Sequence, residues 1–147
     1  MKPVLGIIGG SGLYSLDGIK NIKSVKVTTP FGPPSSKINI TEYKKLKVIF
    51  LPRHGSNHSI PPHKINYKAN IFALKKLGVT DIISISAVGS LKNNHKPGEF
   101  LVVDQFIDRT VKRPTTFFEE DCVVHVSLAK PISEQLINLI MKSKIKG

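Results

Sequence analysis

Three separated segments each join a β-like apolar run to a loop suited to an oxyanion, and no other feature restricts the fold as much. Val4-Leu5-Gly6-Ile7-Ile8 leads into Gly9-Gly10-Ser11-Gly12, and Lys47 to Leu51 leads into Pro52-Arg53-His54-Gly55. The run from Asp81 to Val88 carries Ser86-Ala87-Val88-Gly89-Ser90 at its end. Each loop offers glycine-freed backbone N–H groups, a hydroxyl or a cationic fork. Anion-seeking loops at three strand ends predict one phosphate pocket at the edge of a sheet.

The intervening chain alternates between two periods. Lys23 to Thr29 and Lys37 to Ile40 alternate polar and apolar residues, as half-exposed strands do, and Pro30-Phe31-Gly32-Pro33-Pro34 between them reads as a turn or loop. From Asn66 the spacing of Tyr67, Ile71, Leu74 and Leu77 is helical, with Gly78 placed to end the helix. Asp81 to Val88, β-branched and nearly uncharged, reads as a central buried strand, and Phe100 to Val103 as one more strand. After Pro131, Leu136, Ile137, Leu139 and Ile140 form an apolar helical stripe, with lysines in the last turn. This order predicts an α/β domain. The chain stops in a lysine-rich helix end with no closing strand, which fits either a natural terminus or a truncated domain.

A chain of 147 residues, 40% hydrophobic, is one domain's worth and can build a core. No run approaches the roughly 18 apolar residues of a membrane span, and the N-terminus lacks a signal-peptide pattern. One cysteine, Cys122, excludes an internal disulfide framework and suits a reducing compartment, so a soluble cytoplasmic protein is expected. The formal charge of +12 comes mostly from scattered lysines, without interleaved aromatics that stack on bases. A solvated basic surface is the expectation, not specific nucleic-acid binding.

Arginine occurs only at positions 53, 109 and 113, so its use beside His54 after a strand stands out. Arg53 can grip an oxyanion bidentately and His54 can donate to the same group. Around Ser11, the glycines allow positive φ angles that turn successive N–H groups inward. A dinucleotide fingerprint fails here, because Ser15 stands where the third glycine belongs and residues 29 to 33 supply no acidic group. Ser86 and Ala87 add a hydroxyl and a backbone N–H. A metal site on His54, His58 and His63 is not expected, since Pro52, Gly55 and Pro61-Pro62 prevent the aligning helix and no carboxylate or thiol lies nearby. Cys122 follows Glu119-Glu120-Asp121, whose charge disfavours a nucleophilic thiolate.

Five segments in order carry a family resemblance: Gly6-Ile7-Ile8-Gly9-Gly10-Ser11-Gly12-Leu13, Pro52-Arg53-His54-Gly55, Ile65-Asn66-Tyr67-Lys68-Ala69-Asn70, Ser86-Ala87-Val88-Gly89-Ser90-Leu91 and Asp104-Gln105-Phe106-Ile107-Asp108-Arg109-Thr110. Together with Arg113-Pro114 they closely resemble the 5′-methylthioadenosine phosphorylases, within the trimeric class of purine nucleoside phosphorylases. The resemblance implies a nucleoside phosphorylase-like fold, a central mixed β-sheet flanked by helices, with residues 1–147 as the N-terminal portion of a single domain. It assigns phosphate binding to Ser11, Arg53 with His54, and Ser86 with Ala87. It places His125, in Cys122-Val123-Val124-His125-Val126, against the 5′-alkylthio group of a nucleoside in a neighbouring subunit.

The implied reaction is phosphorolysis of S-methyl-5′-thioadenosine to adenine and 5-methylthioribose-1-phosphate, a step of purine and methionine salvage. It uses inorganic phosphate as co-substrate, no metal and no organic cofactor, in a homotrimer of the full-length enzyme. Purine nucleoside or methylthioinosine phosphorolysis is the nearest alternative. Family members are considerably longer, and their purine-contacting aspartate, a methionine at the ribose and a further phosphate-binding threonine have no counterpart here, so no catalytic residue is assigned. A catalytically incomplete product of a shortened gene that retains phosphate binding is the other alternative. Lys92-Asn93-Asn94-His95 is more basic than the family's usual acidic stretch, and Pro97-Gly98-Glu99 replaces the common Pro-Gly-Asp.

Overall fold

The computed structural model describes residues 2–10, 22–119 and 122–143, in two compact units, Met1–Ala87 and Val88–Gly147. Among the described residues, the first unit holds five strands, an α-helix and a 3-10 helix at Pro62–Lys64: β1 (Val4–Gly9), β2 (Lys23–Val25), β3 (Ile38–Tyr43), β4 (Leu46–Pro52), α1 (Tyr67–Lys76) and β5 (Asp81–Ser84). The strands form one mixed sheet in the order β2-β3-β4-β1-β5. β1 runs parallel to both β4 and β5, and β3 runs antiparallel to β2 and β4. A parallel trio flanked by an antiparallel pair places the C-terminal ends of β4, β1 and β5 side by side.

Register explains the core. Ile40 pairs with Ile49, which also lies beside Gly6, and Ile8 lies beside Leu51, so these positions share one face of the sheet. Ile38, Ile49 and Leu51 are buried there with Ala73 and Leu74 of α1 and with Val79, which follows the helix. The ends of α1 are specified locally. Asn66 caps the start, its side chain accepting from Ala69 N at 3.0 Å. At the other end Gly78 takes φ +86°, and the bonds Gly78 N to Lys75 O (3.0 Å) and Val79 N to Leu74 O (3.1 Å) make a Schellman stop. The same stop delivers Val79 into the core beside Leu74.

Two asparagines at the start of α1 hold the loop after β2. Asn66 Nδ2 donates to Phe31 O (2.6 Å), while buried Asn70 accepts from Ser35 N (2.8 Å) and donates to Ser35 Oγ (2.9 Å). The Pro30–Pro34 segment is thus a tethered loop, as its prolines predict.

Three strand expectations are corrected. The segment from Lys23 to Thr29 contributes only Lys23–Val25 to the sheet, because its ladder ends at the Val25–Ile38 pair and Pro33-Pro34 lie a few residues before Ile38. Asp81 to Val88 is not a central buried strand: only Asp81–Ser84 pairs, at the sheet edge, with Ile82 exposed. Among the described residues, β1 is its one strand neighbour. Phe100 to Val103 forms no strand and is exposed, since no described segment offers it a ladder.

Of the second unit's described residues, Glu134–Lys142 forms α2. Ser133 caps it by accepting from Leu136 N at 3.4 Å. Lys142 lies in its last turn, where the sequence places lysines. Lys130 reaches Glu134 across one turn at 2.7 Å. No helix among the described residues is long and apolar enough to cross a membrane.

Candidate anion-binding site

The parallel trio decides where the three loops end. Gly9-Gly10 leaves β1, Arg53-His54-Gly55 leaves β4, and Ile85-Ser86-Ala87 leaves β5, all at the same side of the sheet. Main-chain bonds lock the exits together: Arg53 N donates to Gly9 O (3.1 Å) and Ile85 N donates to Ile8 O (2.9 Å).

Arg53 spans the three exits. Its Nη1 donates to Ile85 O at 2.6 Å, its Nη2 to Ser86 Oγ at 3.1 Å, and its Nε to His54 Nε2 at 3.2 Å. Those bonds use three of the five guanidinium N–H groups, leaving two among the described residues to meet a ligand. Among the described residues, the acceptors of this half-buried guanidinium are a carbonyl, a hydroxyl and an imidazole nitrogen, with no carboxylate among them. Ser86, by contrast, is exposed at the strand end.

His54 is only 8% exposed, and its partners define its tautomer. Nδ1 lies 2.8 Å from Ile60 O, and a carbonyl can only accept, so Nδ1 carries the proton. Nε2 then presents a lone pair and accepts from Arg53 Nε. His54 therefore braces the arginine here, and neither of its ring nitrogens points a free N–H at an incoming anion. The turn that follows wraps the ring: Ile60 N returns to His54 O (3.0 Å) and His58 N to Gly55 O (3.3 Å). Gly55 is needed there, with φ +80° and Ser59 Oγ 3.2 Å from where a Cβ would sit. The His58 ring packs against His54 at a tilt of 39°, with centroids 4.5 Å apart. No helix aligns these histidines, and no group of three or more metal-ligating side chains occurs among the described residues.

The structure thus brings Arg53, His54 and Ser86 together, with Ala87 next in the chain. Ser11 lies outside the described residues. His125 is exposed in the other unit, Val88–Gly147. In that unit the Asp108 carboxylate accepts from Thr110 N at 2.9 Å, and the backbone and side chain of Thr110, with a smaller contribution from Arg113, hold its pKa below the usual value.

Sequence reasoning misses three contributors. Ile85 and Ile60 act through carbonyl oxygens that every residue carries, so no signal exists. Gly10 contributes otherwise than through the positive φ its loop's glycines allow: neither Gly9 nor Gly10 is in the left-handed region, and Gly12 lies outside the described residues. What Gly10 faces is the arginine, since a methyl there would lie 3.6 Å from Arg53 Nη2.

A profile described as the phosphorylase superfamily matches residues 4–147. The chain is 54% identical over 145 residues to the S-methyl-5′-thioadenosine phosphorylase of Thermofilum pendens, covering 99% of this chain and 55% of that protein. It is 51% identical over 142 residues to the enzyme of the same name from Saccharolobus solfataricus, covering 97% and 53%. Among solved structures, methylthioadenosine phosphorylase from Schistosoma mansoni in complex with adenine superposes with a TM-score of 0.90 at 39% identity, over 96% of this chain and 53% of that one. A methylthioadenosine phosphorylase from an antarctic soil metagenomic library gives 0.91 at 44% identity, over 96% and 49%. The mixed α/β sheet expected from the resemblance is therefore a nucleoside phosphorylase fold. The chain spans about half the length of the curated relatives it matches.

Proposed function

The chain belongs to the phosphorylase superfamily, and from that membership we propose that it forms the phosphate-binding part of an S-methyl-5′-thioadenosine phosphorylase. The observation that carries this reading is the Arg53 guanidinium, anchored at the meeting point of three strand exits with two N–H groups unused among the described residues. The identity to S-methyl-5′-thioadenosine phosphorylases supports the choice of nucleoside.

In the proposed reaction a phosphate oxygen attacks C1′ of the ribose as the C1′–N9 bond breaks, and its electron pair leaves with the purine. Adenine and 5-methylthioribose-1-phosphate result. Arg53, Ser86, the Ala87 N–H and Ser11 hold the phosphate against a cation-like sugar, so its charge stabilises the transition state and its encounter entropy is already spent. His54 keeps the arginine in place. No metal or organic cofactor takes part. His125 approaches the 5′-alkylthio group of a nucleoside bound by a neighbouring subunit in a homotrimer of the full-length enzyme, which works in cytoplasmic purine and methionine salvage. The chain's own share of this chemistry is phosphate binding.

Equilibrium dialysis of the 147-residue chain against radiolabelled inorganic phosphate tests the reading. Binding by the unmodified chain, weakened in Arg53→Ala by about 2–3 kcal/mol, on the order of a hundredfold, is expected for lost charge-assisted bonds. Absence of phosphate binding by the unmodified chain refutes it. Phosphate-dependent release of adenine from methylthioadenosine, followed on the same samples, reports whether binding is joined by turnover.

A further inference from the structure

We propose that Gly10 determines access to the anion site: the side chain it lacks leaves the Nη2 corner of Arg53 open to a tetrahedral oxyanion. The inference rests on the phosphate-binding reading above and adds to it a selectivity residue that acts through the space it leaves.

The backbone does not require glycine at this position, because φ of Gly10 lies outside the left-handed region. The packing of the described residues does not require it either. A methyl at Gly10 would meet Arg53 Nη2 at 3.6 Å and Cζ at 4.0 Å, which is ordinary contact, and no other described atom within 4 Å. Among the described residues, the Arg53 guanidinium is all that such a methyl would meet.

Neither wall of this gap can withdraw. On one side, the loop exit is tied down by Arg53 N to Gly9 O (3.1 Å) and by the Gly9–Pro52 register at the end of the β1–β4 ladder. On the other, the guanidinium is held at three corners by Ile85 O, Ser86 Oγ and His54 Nε2. His54 is in turn fixed by Ile60 O, so the arginine has no compliant partner through which to rotate. An added methyl therefore stays where it is placed. It covers the Nη2 corner with an apolar group and removes the space an oxyanion's oxygen would occupy, without disturbing the bonds that hold the arginine.

The test compares the unmodified chain with Gly10→Ala and Gly10→Val, using thermal melts and dialysis against inorganic phosphate. The expected result is an unchanged melting temperature for Gly10→Ala and phosphate affinity reduced about tenfold to a hundredfold, the scale of one misplaced methyl in a fitted site. Gly10→Val is expected to lose binding further. Phosphate affinity in Gly10→Ala equal to the parent overturns the inference, as does a markedly lowered melting temperature, which would show that the glycine serves the fold. If the unmodified chain binds no phosphate, the site reading itself fails and the inference falls with it; normal binding by both chains refutes the inference alone.

Discussion

A single methyl added at Gly6 tests whether β1 is as tightly enclosed as the geometry requires. Its Cβ would lie 2.8 Å from Val79 Cγ1, 3.4 Å from Val79 Cγ2 and 3.5 Å from Asp81 O. Carbon atoms pack at about 3.5–4.0 Å, so the closest approach overlaps by roughly 1 Å. Val79 cannot easily yield. Its N–H is bonded to Leu74 O in the stop of α1, it belongs to the core cluster, and a β-branched side chain has little χ1 freedom. Nor can β1 shift, being paired on both sides.

Overpacking of this kind costs about 1–3 kcal/mol, from which the stiffer unfolded chain of an alanine returns about 0.4–1 kcal/mol. A net loss of about 1–2 kcal/mol is expected for Gly6→Ala. Val79→Ala alone loses two buried methyl equivalents, about 2 kcal/mol with its cavity. In the Val79→Ala background the clash is gone, and Gly6→Ala should be neutral or slightly stabilising. Urea unfolding of the four chains, fitted with a common m-value, measures the coupling directly. Equal costs of Gly6→Ala in both backgrounds would refute the argument, because the penalty would then arise from something other than Val79.

The β3–β4 hairpin and the site histidine offer two further tests. Lys44 (φ +47°) and Lys45 (φ +67°) occupy both left-handed positions of a two-residue turn between Tyr43 and Leu46, where asparagine followed by glycine is the favoured pair. The double substitution Lys44→Asn with Lys45→Gly should raise stability by about 1–2 kcal/mol, less about 0.5 kcal/mol for the lost contact of Lys44 with the Tyr43 ring. An unchanged urea midpoint would contradict the strain argument. At the site, His54→Asn retains a donor near Ile60 O but removes the acceptor for Arg53 Nε, whereas His54→Gln can place an acceptor there. Phosphate dialysis should show the Asn variant weakened several-fold more than the Gln variant, and equal affinities would show that His54 does not act through Arg53.

Much of this molecule is legible from short stretches of chain. The runs at Val4 to Ile8 and Lys47 to Leu51 are strands, Asn66 and Gly78 bound α1, and the apolar stripe from Leu136 to Ile140 lies in α2 with Lys142 in its last turn, because each depends on side chains and hydrogen bonds within a few residues. The chemistry of Arg53, His54 and Ser86 is likewise intrinsic to their side chains, so a phosphate pocket could be expected before any coordinates. Pairing partners are different. That β1 lies between β4 and β5, that Asp81–Ser84 is the edge of the described strands and that Phe100 to Val103 has no described ladder all depend on segments far away in sequence. The same distance hides why glycine stands at position 6, beneath Val79, and at position 10, against Arg53. It also hides Ile85 O and Ile60 O, main-chain acceptors identical in every residue, which only the folded chain brings within reach of Arg53 and His54.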